Sequence, residues 1–395
     1  MQVDFIVIGS GIAGISFCEQ LRAHHKTFVV FDDQSQQSST VAGGLYNPVV
    51  LKRFTPVWKS KEQLQIALQM YLNFEQEFDV KLDYKIPVLR KFSSLEEQND
   101  WFIASDKPNL SEYLSVNLKK NTNKNIEASF GFGEVLQTGR IDVKVLMDAY
   151  KKFLLKDSRF FETKFKYNDL VVTNGHLKYG EIQTKNIVFT EGFGINKNPF
   201  FKDLPLLGTK GELLTIHAPD LKMDFVLKGP VFLIPIGHDN YIVGATYNWE
   251  DRTHEVTLKG KEELLTKLNT LISCTYKVID QVAGIRPTVK DRRPLVGQHT
   301  VHKNMFVLNG LGTRGVMIGP YVAKKLFDER LKKFDVNLNT NIFIKIKDKN
   351  IQIYNGKSKN KSLICNMDDR LMRRILDKKS HWNNAEIGTH ISFHR

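Results

Sequence analysis

The segment VDFIVIGSGIAGISFCEQL, Val3 to Leu21, constrains the chain more than any other. Val3 to Ile8 is an almost unbroken apolar run that reads as a buried strand, and Gly9, Gly11 and Gly14 follow at G-x-G-x-x-G spacing before a helical pattern. A strand, a glycine turn and a helix in this order open a nucleotide-binding unit. Gly9 permits the tight turn, Gly11 lets the backbone approach a pyrophosphate, and Gly14 lets the helix pack closely on the sheet. The helix N-terminus offers the phosphates free N–H groups and a positive dipole end. A second apolar run, Thr27 to Phe31, closes on Asp32, eighteen residues past Gly14. A carboxylate there accepts hydrogen bonds from a ribose diol and repels a 2′-phosphate. Asp33 follows directly, and strand alternation decides between the two; Asp32 is favoured because it ends the apolar run. An accidental glycine turn in another α/β protein is the competing reading, and the residues alone do not separate FAD from NAD.

Downstream, the polar stretch Gln34 to Thr40 reads as a loop into VAGGLYNPVV, Val41 to Val50, where Gly43 and Gly44 fit either close approach to a bulky group or an ordinary turn. Helical spacing marks residues 60–80, with Leu64, Leu68, Tyr71 and Phe78, and residues 142–155, with Val145, Leu146, Ala149 and Phe153. Short alternating runs occupy 170–173, 176–179 and 181–184, and KNIVFTEGFG, Lys185 to Gly194, reads as a buried strand stopped by glycines. GELLTIHA, VFLIPIG and YIVGATYNW have the period of an antiparallel sheet, followed by a helix over 261–272. MFVLNGLGTRGVMIGPYVAKKLFDERL then returns to a buried strand, a glycine turn and a helix to about Leu331. A nucleotide-binding layer thus opens and closes the region, with an antiparallel layer inserted. Residues 334–395 read as separate: lysine-rich strands around an Asn-Gly turn, then a capped helix with Leu371, Ile375 and Leu376 on one face. His381, His390 and His394 there lack nearby carboxylate or cysteine companions, so no metal site is expected.

The formal charge is +14, and 12 Lys and Arg face 6 Asp and Glu within residues 334–395. Such an excess fits nucleic acid, an anionic cofactor or simple solubility, and no RNA-binding signature accompanies it. Cys18, Cys274 and Cys365 lie far apart with no C-x-x-C spacing, which reads as reduced thiols without zinc. No apolar stretch reaches the roughly 18–20 residues of a membrane span. The N-terminus carries Asp4 and lacks a basic region, unlike a secretory leader. A cytoplasmic protein without a membrane span is the expectation.

AGIRPTVKDRRPLVG, Ala283 to Gly297, resembles the G-x-R-P-x-x-x-D-x-x-P-x-x-G signature of the D-amino-acid oxidase superfamily, which includes glycine and sarcosine oxidases. NGLGTRGVMIGPYVAKKL is similar to that superfamily's last flavin-contacting turn and helix, and IVFTEGFG to its internal strand beside the cofactor. With the first glycine turn these span residues 3 to about 331 in family order. The GTRG turn most resembles the flavin domain of the bifunctional enzyme that modifies the tRNA wobble uridine. The resemblance implies an α/β fold with a Rossmann-like FAD-binding domain (1–55, 141–205 and 281–333), an interleaved antiparallel-sheet substrate domain (56–140 and 206–280) and a small appended C-terminal α+β module (334–395).

It also implies FAD in extended form. Gly9, Gly11, Gly14 and Asp32 fall at its adenosine half, Ala42, Gly43 and Gly192 along it, and Gly312, Thr313, Arg314 and Gly315 at the flavin ring. Arg314 also fits a structural role. Arg286 falls where family members pair an arginine with the substrate carboxylate, a match of planar fork to carboxylate; a buried arginine paired with Asp291 or Glu191 is its alternative. Tyr247 and Phe232 fall at substrate-facing positions, with Phe232 where glycine oxidases carry tyrosine, and both also fit an ordinary core. The implied reaction oxidises the C–N bond of an N-substituted glycine or other amino acid by hydride transfer to flavin, then hydrolyses the imine. Oxygen or another acceptor takes the electrons. Two further readings are the same chemistry on carboxymethylaminomethyl-uridine in tRNA, and a flavin-bound scaffold without turnover.

Overall fold

A computed structural model describes residues 1–331 apart from Asn174, together with strand segments 340–346, 349–353, 361–367 and 391–394. The chain divides into two units, Met1–Arg330 and Leu331–Arg395.

In the first unit, β1 (Gln2–Ile8) runs parallel to β2 (Phe28–Phe31) on one side and to the strand Ile182–Phe189 on the other. The strand Met305–Asn309 adds to Ile182–Phe189, again parallel. Every residue of Phe28–Phe31 and Met305–Asn309 is buried, as near-continuous apolar runs in a parallel sheet covered on both faces require. Ile8 pairs with Phe189, and Phe189 with Val307, so the chain leaves these strands at one edge of the sheet. Gly9 and Thr190 stand there together, while the strand Met305–Asn309 runs two residues further before it turns. The expected short run 181–184 and strand 185–194 are one strand, Ile182–Phe189, followed by a tight helical turn over Gly192–Lys197.

The glycines at this edge answer to packing. Gly9 has φ +100°, and a Cβ on it would lie 2.6 Å from the Thr190 carbonyl oxygen. A Cβ on Gly14 would overlap the Gly9 carbonyl. Thr190 Oγ1 closes the turn by donating to the carbonyls of Ile8 at 2.7 Å and Gly9 at 2.8 Å. α1 (Ile12–Ala23) and the helix Gly315–Leu326 lie side by side, because Gly319 lets Ile12 and Ser16 approach.

The second sheet of this unit has eight strands in the order Lys277–Val289, Leu206–His217, Asn240–Gly244, Phe232–Gly237, Val226–Lys228, Val88–Lys91, Phe132–Val135 and Leu114–Lys119. It is mixed rather than purely antiparallel, since Val226–Lys228 runs parallel to Val88–Lys91. Alternation gives it two unlike faces. Leu214, Leu227, Leu233 and Val243 bury against the helix Leu258–Leu268, which begins three residues and ends four residues before the expected 261–272, with Thr257 capping it through Gly260 N–H at 2.9 Å. The opposite face carries Lys228, Phe232, Leu213 and Arg286. Against it lies the segment after β2: a Cβ on Gly284 would meet Val41, and one on Gly43 would meet Ile234. The pairing of Lys277–Val289 with Leu206–His217 carries residues 281–289 into this sheet, not into the nucleotide-binding one.

The second unit contains a four-stranded sheet in which Thr340–Ile346 pairs antiparallel with Lys349–Ile353 and parallel with Lys361–Met367. Ile391–His394 adds antiparallel to Lys361–Met367. The expected helix around Leu371, and His381 and His390, lie outside the described residues. Among the described residues no group of His, Cys, Asp and Glu could hold a metal ion, and no helix is long and apolar enough to cross a membrane.

Gly14→Ala should cost at least about 1–3 kcal/mol through overpacking, whereas Gly297→Ala, whose Cβ meets nothing within 4 Å, should stay within about 0.5 kcal/mol. Chemical denaturation of both variants checks this, and equal stabilities would contradict it.

Candidate active site

Asp32 stands just past the end of β2, beside the first glycine turn. Its Oδ2 accepts from Ser10 N–H and Ser10 Oγ, both at 2.6 Å, and Oδ1 accepts from Gln34 N–H at 2.6 Å. The carboxylate therefore ties the glycine turn to the end of β2. Asp33 is turned into the following loop, accepting from Ser35 N–H at 3.0 Å. Among the described residues only the Ser39 side chain approaches Gly11, its Oγ 3.0 Å from where a Cβ would stand. Ser39 Oγ also accepts from Ile12 N–H at 3.3 Å. Ser39 was hidden within the polar loop 34–40, where no motif separates it from its neighbours.

Gly192 and Gly312 adopt φ +53° and +60°, and a Cβ on either would meet no atom within 4 Å. Asn309 Nδ2 donates to the Gly192 carbonyl at 2.8 Å and locks these two turns together. Gly11, Gly192 and Gly312 thus all follow strands that end at the carboxyl edge of the sheet. The helix Gly315–Leu326 starts at it with no side-chain cap and no acidic residue in its first turn, leaving the positive dipole end available. Thr313 is exposed, and Arg314 and Gly315 are half-buried. Of the paired glycines, Gly44 takes the left-handed conformation at φ +70° against Ile141, while Gly43 passes beside Ile234 and Phe232. Ala42 belongs to the preceding turn, its N–H donating to the Ser39 carbonyl at 3.3 Å. A cradle of bare backbone, a carboxylate beside it and an uncapped helix start fit an extended dinucleotide.

Arg286 stands on the adjoining sheet face. Its guanidinium lies flat on Gly211, where a Cβ would overlap it, with Nη1 donating to the Thr246 carbonyl at 3.2 Å. The Tyr247 ring covers it at 4.7 Å from Cζ to the centroid. Tyr247 itself is 62% exposed and lies past the end of its strand at Gly244, so it is no core residue. Among the described residues no carboxylate pairs with Arg286. Asp291 accepts from Arg293 N–H at 2.9 Å, and Glu191 is held by the Tyr167 hydroxyl and by Asn198 Nδ2 at 2.7 Å. The pairings of Arg286 with Asp291 or Glu191 are therefore excluded. Burial lowers the pKa of Arg286, and burial with the charge of Arg292 lowers that of Arg314. Phe232 is half-buried beside Gly43, with Lys228 Nζ 5.0 Å from its ring centroid. Burial, then the charges of Arg90, Arg314 and Arg286, push the Lys228 ammonium down to about 8. Lys228 was not legible as a site residue, since "VLKGP" carries no motif.

Residues 4–329 match the family described as DAO, FAD dependent oxidoreductase. The chain belongs to that family. Its cofactor is FAD. The chain is 26% identical over 161 residues to glycine oxidase of Bacillus subtilis (strain 168), covering 39% of this chain and 43% of that protein. It is 21% identical over 338 residues to the tRNA 5-methylaminomethyl-2-thiouridine biosynthesis bifunctional protein MnmC of Acinetobacter baylyi (strain ATCC 33305 / BD413 / ADP1), covering 81% of this chain and 51% of that one. These matches span about half or less of the curated relatives' length. The crystal structure of glycine oxidase from Geobacillus kaustophilus superimposes with a TM-score of 0.71 at 15% identity, over 85% of this chain and 97% of that one, a likeness of fold.

Glu191, next to Gly192, is pushed up to about 7, burial outweighing the hydrogen bonds from Asn198 and Tyr167. The folded protein thus keeps a proton that the unfolded chain has lost. The stability that Glu191 contributes is full below the ordinary glutamate range and falls as pH rises towards 7, by up to about 1.4 kcal/mol per pH unit. Denaturation midpoints between pH 5 and 8 should show this fall in the parent and a flatter profile in Glu191→Gln. Parallel profiles would contradict it.

Proposed function

We propose that this FAD-dependent oxidoreductase oxidises the C–N bond of a secondary amine of the N-substituted glycine type. The observation that carries the reading is Arg286, a guanidinium with no carboxylate partner among the described residues, on the sheet face that meets the segment 38–43. A substrate carboxylate satisfies its remaining donors bidentately and fixes the orientation of the α-carbon. Tyr247 covers the guanidinium and excludes water from that pair, and Phe232 forms an apolar wall. Gly9, Gly11, Gly14, Gly192 and Asp32 would hold the adenosine and pyrophosphate half of FAD, and Ala42, Gly43 and Gly312–Gly315 the half that bears the ring. Bound FAD supplies the two-electron acceptor. The substrate loses the α-hydrogen with two electrons, and a proton from nitrogen, to become an imine. Water then divides that imine into an amine and a 2-oxo acid. No side chain is needed as a base once the amine binds neutral.

The likeness to MnmC over 81% of the chain favours a second reading, the same oxidation on a carboxymethylaminomethyl group carried by tRNA. Retention of tRNA bearing that group, weakening steeply with salt, separates it from the small-amine reading.

Arg286→Ala should lower kcat/KM for N-alkyl glycines by about 100-fold while leaving the bound flavin's absorbance in place. Anaerobic flavin bleaching across a panel of N-alkyl glycines provides the measurement. Efficiency within threefold of the parent would overturn the assignment of Arg286.

A further inference from the structure

Lys228 has no role in the reading above, yet it stands where a role would be. It belongs to the short strand Val226–Lys228, in register with Arg90 on one side and Phe232 on the other, so all three share the face that carries Arg286. Like charges side by side in a sheet repel, and the two cations are treated differently. Arg90 is neutralised by Glu97, whose Oε1 accepts from Nε at 2.9 Å and Nη2 at 2.6 Å. Lys228 has no carboxylate among the described residues, only the Phe232 ring 5.0 Å away. Lys228 is half-buried, and an ammonium in this setting is costly unless an anion accompanies it.

Lys228 also lines a cleft of about 590 Å³ between the loop at residues 51–54 and the helix Leu95–Ser105. The walls of that cleft carry five basic side chains, among them Lys52, Arg53 and Lys107, against the two acids Glu97 and Asp100. Glu97 is already spent on Arg90, so the cleft is cationic on balance. Three strands separate Lys228 from Arg286 in the sheet order, yet the charges of Arg286 and Arg314 both act on the lysine ammonium.

From this geometry we infer that Lys228 is a second anion-binding residue, and that the preferred substrate is a secondary-amine dicarboxylate. One carboxylate pairs with Arg286 and the other, at the end of the N-substituent, with Lys228 at the inner wall of the cleft. The inference rests on the amine-oxidation reading and narrows its substrate class. A compact diacid fits better than a nucleic acid because Lys228 is enclosed beside Phe232, and a phosphodiester chain tracks exposed cations instead.

The test uses the FAD-loaded full chain and two probes that cannot be oxidised as amines. Perturbation of the flavin spectrum is titrated with thiodiacetate, a diacid, and with (methylthio)acetate, its monoacid counterpart. The diacid is expected to bind at least tenfold more tightly, and Lys228→Met to bring the ratio of the two affinities near one. In parallel, anaerobic flavin bleaching compares iminodiacetate, N-(2-carboxyethyl)glycine and N-(3-carboxypropyl)glycine with N-propylglycine. At least one diacid should exceed the monoacid tenfold in kcat/KM, and that ratio should collapse in Lys228→Met. Equal affinities for the two thioethers, or a ratio unmoved by the substitution, would overturn the inference even if N-propylglycine is oxidised. Diacid-selective binding that depends on Lys228, without bleaching by any amine, would uphold the anion site and sink the amine-oxidation reading instead. Loss of tRNA binding in Lys228→Met without any diacid preference in the parent would assign the lysine to RNA and overturn the proposal.

Discussion

The parallel register that aligns Ile8, Phe189 and Val307 is the constraint on which the site depends. It delivers three chain exits to one edge, and the groups that follow are small or polar for a reason. Gly9 and Gly14 must lack a Cβ so that Thr190 can seal the first turn, and Asn309 must reach the Gly192 carbonyl so that the other two turns share one position. A bulky side chain at Gly9 or Gly14 would push α1 off the sheet, and with it the first N–H groups that a pyrophosphate needs. The cofactor cradle is thus a consequence of strand pairing and close helix packing.

The second sheet supplies what the first lacks. Its buried face is an ordinary apolar core around Leu214, Leu233 and Val243, while its other face keeps Arg286 and Lys228 without a carboxylate partner among the described residues. Arg314 joins them from the turn before the last helix of the unit, and its charge also bears on Lys228. Proteins seldom leave several partly buried cations uncompensated, because each forfeits hydration. Glu97 shows that this chain neutralises such a charge where no ligand is wanted, at Arg90. The contrast between Arg90 and its neighbours is the observation on which the two proposed anion contacts rest.

Much of the nucleotide-binding half was legible in the sequence, because backbone conformation and close packing dictate glycine there and an apolar run dictates a parallel strand. Asp32 was favoured over Asp33 because it ends the apolar run; in the structure Asp32 accepts from the glycine turn and Asp33 from the following loop. The short runs after residue 181 were harder: Gln183, Thr184, Lys185 and Asn186 interrupt the apolar pattern, although they continue one strand paired with β1. The parallel contact between Val226–Lys228 and Val88–Lys91 joins segments more than a hundred residues apart, and nothing local announces it. Lys228 was invisible for that reason. A lysine in a short run is ordinary; only its neighbours Arg90, Phe232 and Arg286 make it unusual. Ser39 was equally hidden, since its place beside Ile12 follows from the course of a loop.

One groove running from the Gly9–Gly14 turn to the Gly312–Gly315 turn is the centre of this account. Its most direct test is a crystal structure of the FAD-loaded chain. The pyrophosphate should lie on the N–H groups at Gly11 and Ile12, the ribose on Asp32, and the ring edge against Gly312–Gly315 with Arg286 across from it. A dinucleotide bound away from either turn, or a ring on the far side of the second sheet from Arg286, would contradict it.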